Sequence, residues 1–351
     1  NLLCANENVY KLLNQIKEHK PKYVYLHNLK KYNLLKKHIN KKTIIFDYFD
    51  LIAYLNNSKS DYSILAISGY KSLNYFESII NNTSFLGLVS KEAIVSAGHL
   101  FSKNNINKKT YIYPLDSEHF SIFNFLQNEY NKNKLLNITL TASGGPFFGK
   151  KFNSLKNVPF KRATKHPKWN MGYKNSIDSA TLVNKCLEII EAHYLFNIPY
   201  NNIDAIIHPE SLVHSIIEYK NYIYEMIYFY NNMEIPLFHF LNNKYDKNLL
   251  KNKYKINKNN SLSFYEIKNS EFPIYNFFKK IDKTLPSNLI KFNIGNEFAV
   301  NLYKKNIINY TDIYDIVVKI VSFDLNYNLN NIKDIIKYHE LLEIYINEKF
   351  N

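Results

Sequence analysis

The first 113 residues alternate short apolar runs with helical periods, and few folds accommodate that alternation. The runs NLLC at the start, YVYL at 23–26, TIIF at 43–46, YSILAI at 62–67, FLGLV at 85–89 and YIY at 111–113 read as strands. Between them VYKLLNQIKEHK, NLKKYNLLKKH, LNYFESIINN and EAIVSAGHLF read as helices. Strands that alternate with helices argue for a parallel sheet covered on both faces. The fold class expected is therefore α/β, opening with a Rossmann-like, doubly wound unit. Such sheets bind ligands beyond the carboxyl ends of their strands, where Lys91 and Asp116 fall. A dinucleotide-binding unit also opens with a strand and a glycine-rich turn that lets backbone approach a pyrophosphate. These residues contain no such turn. The first strand, the loop and the first helix are expected upstream of residue 1.

The most specific stretch lies further on, between residues 141 and 196. It reads TASGGPFF, then HPKWNMG, then SIDSATLVNKCLEIIEAHYLF. Its last part is expected to be a helix opening on Asp178 or Ser179, either of which caps well because its oxygen accepts an orphan amide. Asn184 and Glu188 are four apart on it, and Lys185 and Glu188 three apart, so the side chains project near one another. Free N–H groups, hydroxyls and a cation together suit a phosphate. An isolated Lys–Glu pair would more often be solvated surface. Here it follows SGGPF, Gly172 and Trp169 in a chain with only 8 Gly and 1 Trp. Gly144 to Lys150 fits half of a P-loop, but Lys151 cannot hold Mg²⁺ as Ser or Thr would, which argues against a nucleotide triphosphatase.

Five ordered motifs carry a resemblance. They are Ser90-Lys91-Glu92, Pro114-Leu-Asp116-Ser117-Glu118-His119, Ser143-Gly-Gly-Pro-Phe, His166-Pro-Lys-Trp169-Asn-Met-Gly172, and Asp178-Ser179-Ala-Thr with Asn184-Lys185 and Glu188. Together they closely resemble the 1-deoxy-D-xylulose 5-phosphate reductoisomerase family, which isomerises its substrate and then reduces it with NADPH on the route to isoprenoids. The resemblance implies Asp116, Glu118 and Glu188 as metal ligands, and an oxygen-only set suits Mg²⁺ or Mn²⁺. Asp116 and Glu118, two apart on extended chain, would point the same way. It further implies a catalytic set of Lys91, Glu118 and His166. Ser143, Ser179, Asn184 and Lys185 would hold the phosphate, with Ser117 also at the substrate, and His166 with Trp169 would close over it. On the cofactor side it implies Asn6, Glu7, Asn8, Ser90, Glu92 and Gly172. Glu7 stands where the family commonly has a basic residue, so discrimination for NADPH over NADH is expected to be weakened, unless Glu7 points into water and a nearby Lys meets the 2′-phosphate.

Four stretches follow in order. Residues 1–115 would be the NADP-binding domain, N-terminally incomplete, and 116–242 the catalytic and metal-binding domain with a mixed sheet. Residues 243–271, Asn/Lys-rich and poorly patterned, read as a linker, and 272–351 as a small helical domain. Lys+Arg 45 against Asp+Glu 30 gives a net charge of +15. A basic RNA-associated protein is one alternative on charge alone, but the lysines are dispersed, and neither nucleic acid nor membrane is expected as a partner. The other alternative is a degenerate, non-catalytic homologue. Two cysteines point to a reducing compartment, and no apolar run would span a bilayer. The bacterial cytoplasm, with an AT-rich genome behind the Asn, Lys and Ile excess, is the expected location and a plastid-type organelle the second. A homodimer is expected by resemblance.

Overall fold

The computed structural model describes residues 1–351 apart from 41, 103–109, 128–132, 169–170, 242–260, 326 and 351. Strands β1 (Leu2–Ala5), β2 (Tyr23–Leu26) and β3 (Ile44–Phe46) pair in parallel in that order. Helix α1 (Val9–His19) begins where the Asn8 side-chain oxygen accepts the Lys11 amide at 3.1 Å. Its face of Val9, Leu12, Leu13 and Ile16 packs with Val24, Leu26 and Leu35, the last from α2 (Tyr32–His38). Helix α3 (Tyr48–Asn57) follows, opened by a capping box in which Asp47 accepts the Asp50 amide at 2.8 Å and Asp50 accepts the Asp47 amide at 3.2 Å.

A second parallel set, β4 (Ser60–Leu65), β5 (Thr83–Leu88) and β6 (Tyr111–Pro114), alternates with α4 (Leu73–Asn82) and α5 (Lys91–Ser102). Pairing therefore gives two three-stranded parallel sheets rather than one. They correspond to the two wings of a doubly wound arrangement. The first wing has its own small core, while the second shares one continuous core with the rest of the chain.

After α6 (Ser117–Phe125) comes a mixed sheet of β7 (Leu135–Ala142), β8 (Ile203–Ile207), β9 (Val213–Tyr219) and β10 (Tyr224–Tyr228), ordered β10-β9-β7-β8. Strands β7 and β8 run parallel, and the other two pairings are antiparallel. Between β7 and β8 the chain makes α7 (Phe160–Ala163), α8 (Tyr173–Ala180) and α9 (Val183–Phe196). The sequence reading expected one helix opening at Asp178 or Ser179. Instead both residues lie at the C-terminal end of α8, and the chain breaks at Thr181 and Leu182, the latter with φ +61°. Helix α9 is buried on nearly every side, from Val183 to Ala192, as expected of a central helix.

Helix α10 (Glu234–Leu241) ends the described part of that region. The described part of the presumed linker, 261–271, lies against the mixed sheet. Ile207 and Tyr265 exchange both backbone hydrogen bonds, at 2.8 and 2.9 Å. Helices α11 (Pro273–Lys280), α12 (Pro286–Lys304), α13 (Asp312–Val321) and α14 (Ile332–Phe350) complete the chain. Helix α12 packs on α13, α5 and α8, and α14 packs on α4 and α5. His339 of α14 ties that last contact: its Nε2 hydrogen-bonds Ser96 Oγ at 2.9 Å and its ring stacks on Tyr70 at 4.3 Å. Among the described residues no helix is long and apolar enough to cross a membrane.

Candidate active site

Three elements meet around the ammonium groups of partly exposed Lys91 and buried Lys185. Asp116 is the N-cap of α6, its Oδ1 accepting the amides of Glu118 at 3.0 Å and His119 at 3.4 Å. Glu118 therefore sits in the first helical turn rather than on extended chain, and Ser117 Oγ donates to its Oε2 at 2.6 Å. Glu188, on α9, is 1 % exposed. One carboxylate oxygen each from Asp116, Glu118 and Glu188 lies within 4.8 Å of the others. Lys91, at the first turn of α5, reaches Asp116 at 2.6 Å and Glu188 at 3.0 Å. Lys185 donates to Glu118 at 3.0 Å and also to Glu188. Asn184 donates to Glu188 as well.

The electrostatics follow from burial and these pairings. Burial works against the charge on Lys91, but Asp116, Glu188 and Glu191 outweigh it and hold its pKa well above the usual lysine range. Lys185 is likewise raised, with Glu118 and Glu188 overcoming burial. Burial would raise Asp116, yet Lys91 and His119 hold it well below the carboxylate range. Glu118 and Glu188 go the other way, raised first by burial. Both lysines are therefore fixed cations, unsuited to act as bases at neutral pH.

The oxygens fit a hard divalent cation. Ligands at about 2.1 Å from one ion are at most about 4.2 Å apart, so small side-chain rotations would close the set for magnesium. Sequence reasoning missed two neighbours. Glu191, one turn beyond Glu188, is buried with Oε2 3.7 Å from Lys91, and burial pushes its pKa up to about 7. His119 Nε2 donates to the Glu188 carbonyl at 2.9 Å, and its Nδ1 lies 3.6 Å from Asp116. The i,i+3 spacing of Glu188 and Glu191 was the available signal.

A second cluster adjoins the turn after β7. His166 Nε2 lies 2.9 Å from Ser143 Oγ and 3.1 Å from Ser179 Oγ. Burial lowers the His166 pKa to about 4, so the ring is neutral at pH 7. A cavity of about 280 Å³ opens here, lined by Ser143, Gly145, Phe148, Pro167, Lys168 and Glu210. Trp169 lies outside the described residues. Gly145, at φ +62°, lies so close to α8 that a Cβ there would be 2.9 Å from Ser179 O and Ala180 Cα.

The cofactor candidates are more dispersed. Asn6 and Glu7 occupy the turn between β1 and Asn8, where Lys31 Nζ donates to the Glu7 carbonyl at 3.0 Å and lies 3.9 Å from its carboxylate. Ser90 Oγ bonds the Ile67 carbonyl at 2.7 Å and Ser72 Oγ at 3.0 Å, which occupies it inside the fold. Glu92 is in the first turn of α5, and Gly172 is the exposed N-cap of α8.

Models of the 1-deoxy-D-xylulose 5-phosphate reductoisomerase family match residues 1–98, and models of its C-terminal domains match 112–196 and 230–343. The enzyme of that name from Clostridium tetani is 34 % identical over 354 residues, covering 99 % of this chain and 91 % of the relative. The chain belongs to this family. The Pelagibacter ubique reductoisomerase is 35 % identical over 327 residues, covering 92 % of this chain and 83 % of that one. Among solved structures, a reductoisomerase in complex with NADPH, fosmidomycin and magnesium aligns with a TM-score of 0.88 at 26 % identity, covering 99 % of this chain and 91 % of that chain. The Zymomonas mobilis reductoisomerase in complex with NADPH aligns at 0.84 and 27 % identity, covering 98 % and 90 %.

Proposed function

We propose that the protein converts 1-deoxy-D-xylulose 5-phosphate into 2-C-methyl-D-erythritol 4-phosphate, a step toward isoprenoid precursors, using NADPH and Mg²⁺ or Mn²⁺. The convergence of Asp116, Glu118 and Glu188 carries that reading at the level of chemistry. The isomerisation breaks and remakes a carbon–carbon bond and leaves charge on substrate oxygens. A divalent cation held by the three carboxylates supplies Lewis-acid stabilisation of such charge, and NADPH supplies the hydride for the reduction.

The chain's own residues do the rest. Lys91 stays protonated beside Asp116 and Glu188 and orients both carboxylates. Glu118, with the Ser117 hydroxyl on Oε2 and the Lys185 ammonium 3.0 Å from Oε1, is the carboxylate placed as a proton-transfer or electrostatic partner beside the metal set. Ser143, Ser179 and neutral His166 form a hydroxyl–imidazole cradle for the phosphate, while Asn184 and Lys185 at the start of α9 bond the carboxylates of Glu188 and Glu118 rather than these hydroxyls. Pro167 and Lys168 line the cavity beside this cradle.

A homodimer belongs to this reading. The edge strand β10 supports it, since Tyr224 and Met226, with Tyr222 and Ile223 just before them, are exposed on an edge that has no partner strand among the described residues. The cytoplasm is the matching compartment. NADPH oxidation with substrate and Mg²⁺ or Mn²⁺, with product mass confirmed, tests the activity. EDTA should abolish the rate. A folded protein that binds metal yet never oxidises NADPH would establish the non-catalytic homologue instead.

A further inference from the structure

We infer that Asn296 and Tyr310, contributed by the C-terminal helical region, are positioning residues that hold the Ser179 hydroxyl for the phosphate. This rests on the proposed role of Ser179. The residue before it, Asp178, is 3 % exposed and accepts from Asn296 Nδ2 at 2.7 Å, and Asn296 itself is fully buried. Lys174, one turn earlier on α8, donates to the other Asp178 oxygen. The residue after it, Ala180, gives its carbonyl to the Tyr310 hydroxyl at 2.9 Å.

That carbonyl ends α8 and has no intrahelical partner, because the chain turns away through Leu182 at φ +61°. Tyr310 thus fixes the direction in which the chain leaves Ser179. Its ring also packs edge-on against Phe147, with centroids 5.2 Å apart. Phe147 belongs to the turn that presents Ser143, and Gly145 of that turn abuts Ser179 from the other side. Ser179 is therefore held between the Ser143 turn and two side chains from a region more than a hundred residues away in sequence. Nothing on α8 itself makes either bond.

A coupling experiment on the full chain decides the matter. Tyr310→Phe removes the donor and keeps the ring; KM, kcat and the Kd of inorganic phosphate, read by thermal-shift titration, are measured with and without Ser179→Ala. The loss of one neutral hydrogen bond's effect amounts to about three- to tenfold. KM and the phosphate Kd should rise by that factor with kcat within twofold, and the effect should vanish in the Ser179→Ala background. An unchanged Kd, or an equal rise in both backgrounds, overturns the inference, because a merely structural role would not pass through Ser179. Should Tyr310→Phe not fold, Asn296→Ser runs the same cycle. The phosphate readout needs no turnover, so a wild type that binds phosphate but does not oxidise NADPH fails the proposed activity alone.

Discussion

Lys185 is 3 % exposed, and its ammonium is shared between Glu118 and Glu188. Removing one partner of a buried ion pair leaves uncompensated charge and costs about 3–5 kcal/mol. Lys185→Met should therefore lower stability by about that much without metal. Mg²⁺ or Mn²⁺ should recover part of the loss, since a divalent ion restores positive charge among the same carboxylates. Thermal melts with and without metal check this, and a metal-induced Tm shift no larger than the wild type's would contradict it. Glu188→Gln removes the other partner of the same buried pairs, so it should cost stability too, with the fold still present by circular dichroism while turnover is abolished. His339 supplies a pH effect. Burial lowers its pKa from 6.5 to about 3, so the unfolded chain takes up the proton first as pH falls. The stability it contributes is complete above about pH 6.5 and is lost progressively toward pH 3. Between pH 7.5 and 5 the loss is about 2 kcal/mol. Urea midpoints at those two pH values should show His339→Gln losing less than wild type.

At the scale of elements, the turn after β7 and the end of α8 are mutually dependent. Gly145→Ala meets both a positive φ and a backbone contact at 2.9 Å, so it should destabilise by about 2 kcal/mol or more and raise KM by displacing Ser179. Chemical denaturation and steady-state kinetics measured together check both effects. The turn after β1 carries a second expectation. Lys31 stands beside Glu7, so Lys31→Ala should reduce kcat/KM with NADPH more than with NADH, and equal losses would move the 2′-phosphate elsewhere. Much of this was legible in sequence where period and length agreed, as in β1 to β6. Helix α3 was not, because Tyr48, Phe49, Leu51 and Ile52 resemble a strand and only the Asp47–Asp50 cap marks its start. The break at Leu182 was also hidden. Nothing in Ser-Ala-Thr-Leu-Val forbids a helix, and the contacts that impose the break come from Gly145 and Tyr310. The metal candidates were legible from the family motifs, although Asp116 and Glu118 converge through a helix cap rather than an extended strand. For Glu191 the i,i+3 spacing from Glu188 was the one signal, and His119 stood in a motif without a role, because burial rather than residue type gives them their place beside the carboxylates.

Across the whole molecule, two cores of unequal size set the order of loosening. The first wing rests on a small cluster around Leu12, Val24 and Leu35, separate from the continuous core that includes α9. Amide exchange in residues 1–57 should therefore be faster than in α9 and β7, by local opening rather than global unfolding. Added NADPH should slow it. Uniform protection across both regions would show one cooperative unit instead. The tie between Ser179 and Tyr310 also has a consequence for synthesis. The two residues are 131 positions apart, from 179 to 310. At about 5–20 residues per second, the Tyr310 hydroxyl leaves the peptidyl-transferase centre roughly 7–26 s after Ser179 does. For most of that interval the candidate metal carboxylates are already on the nascent chain, while the proposed phosphate cradle lacks its clamp. Residues made well after Ser179 thus determine when the newborn chain can first complete the proposed phosphate cradle.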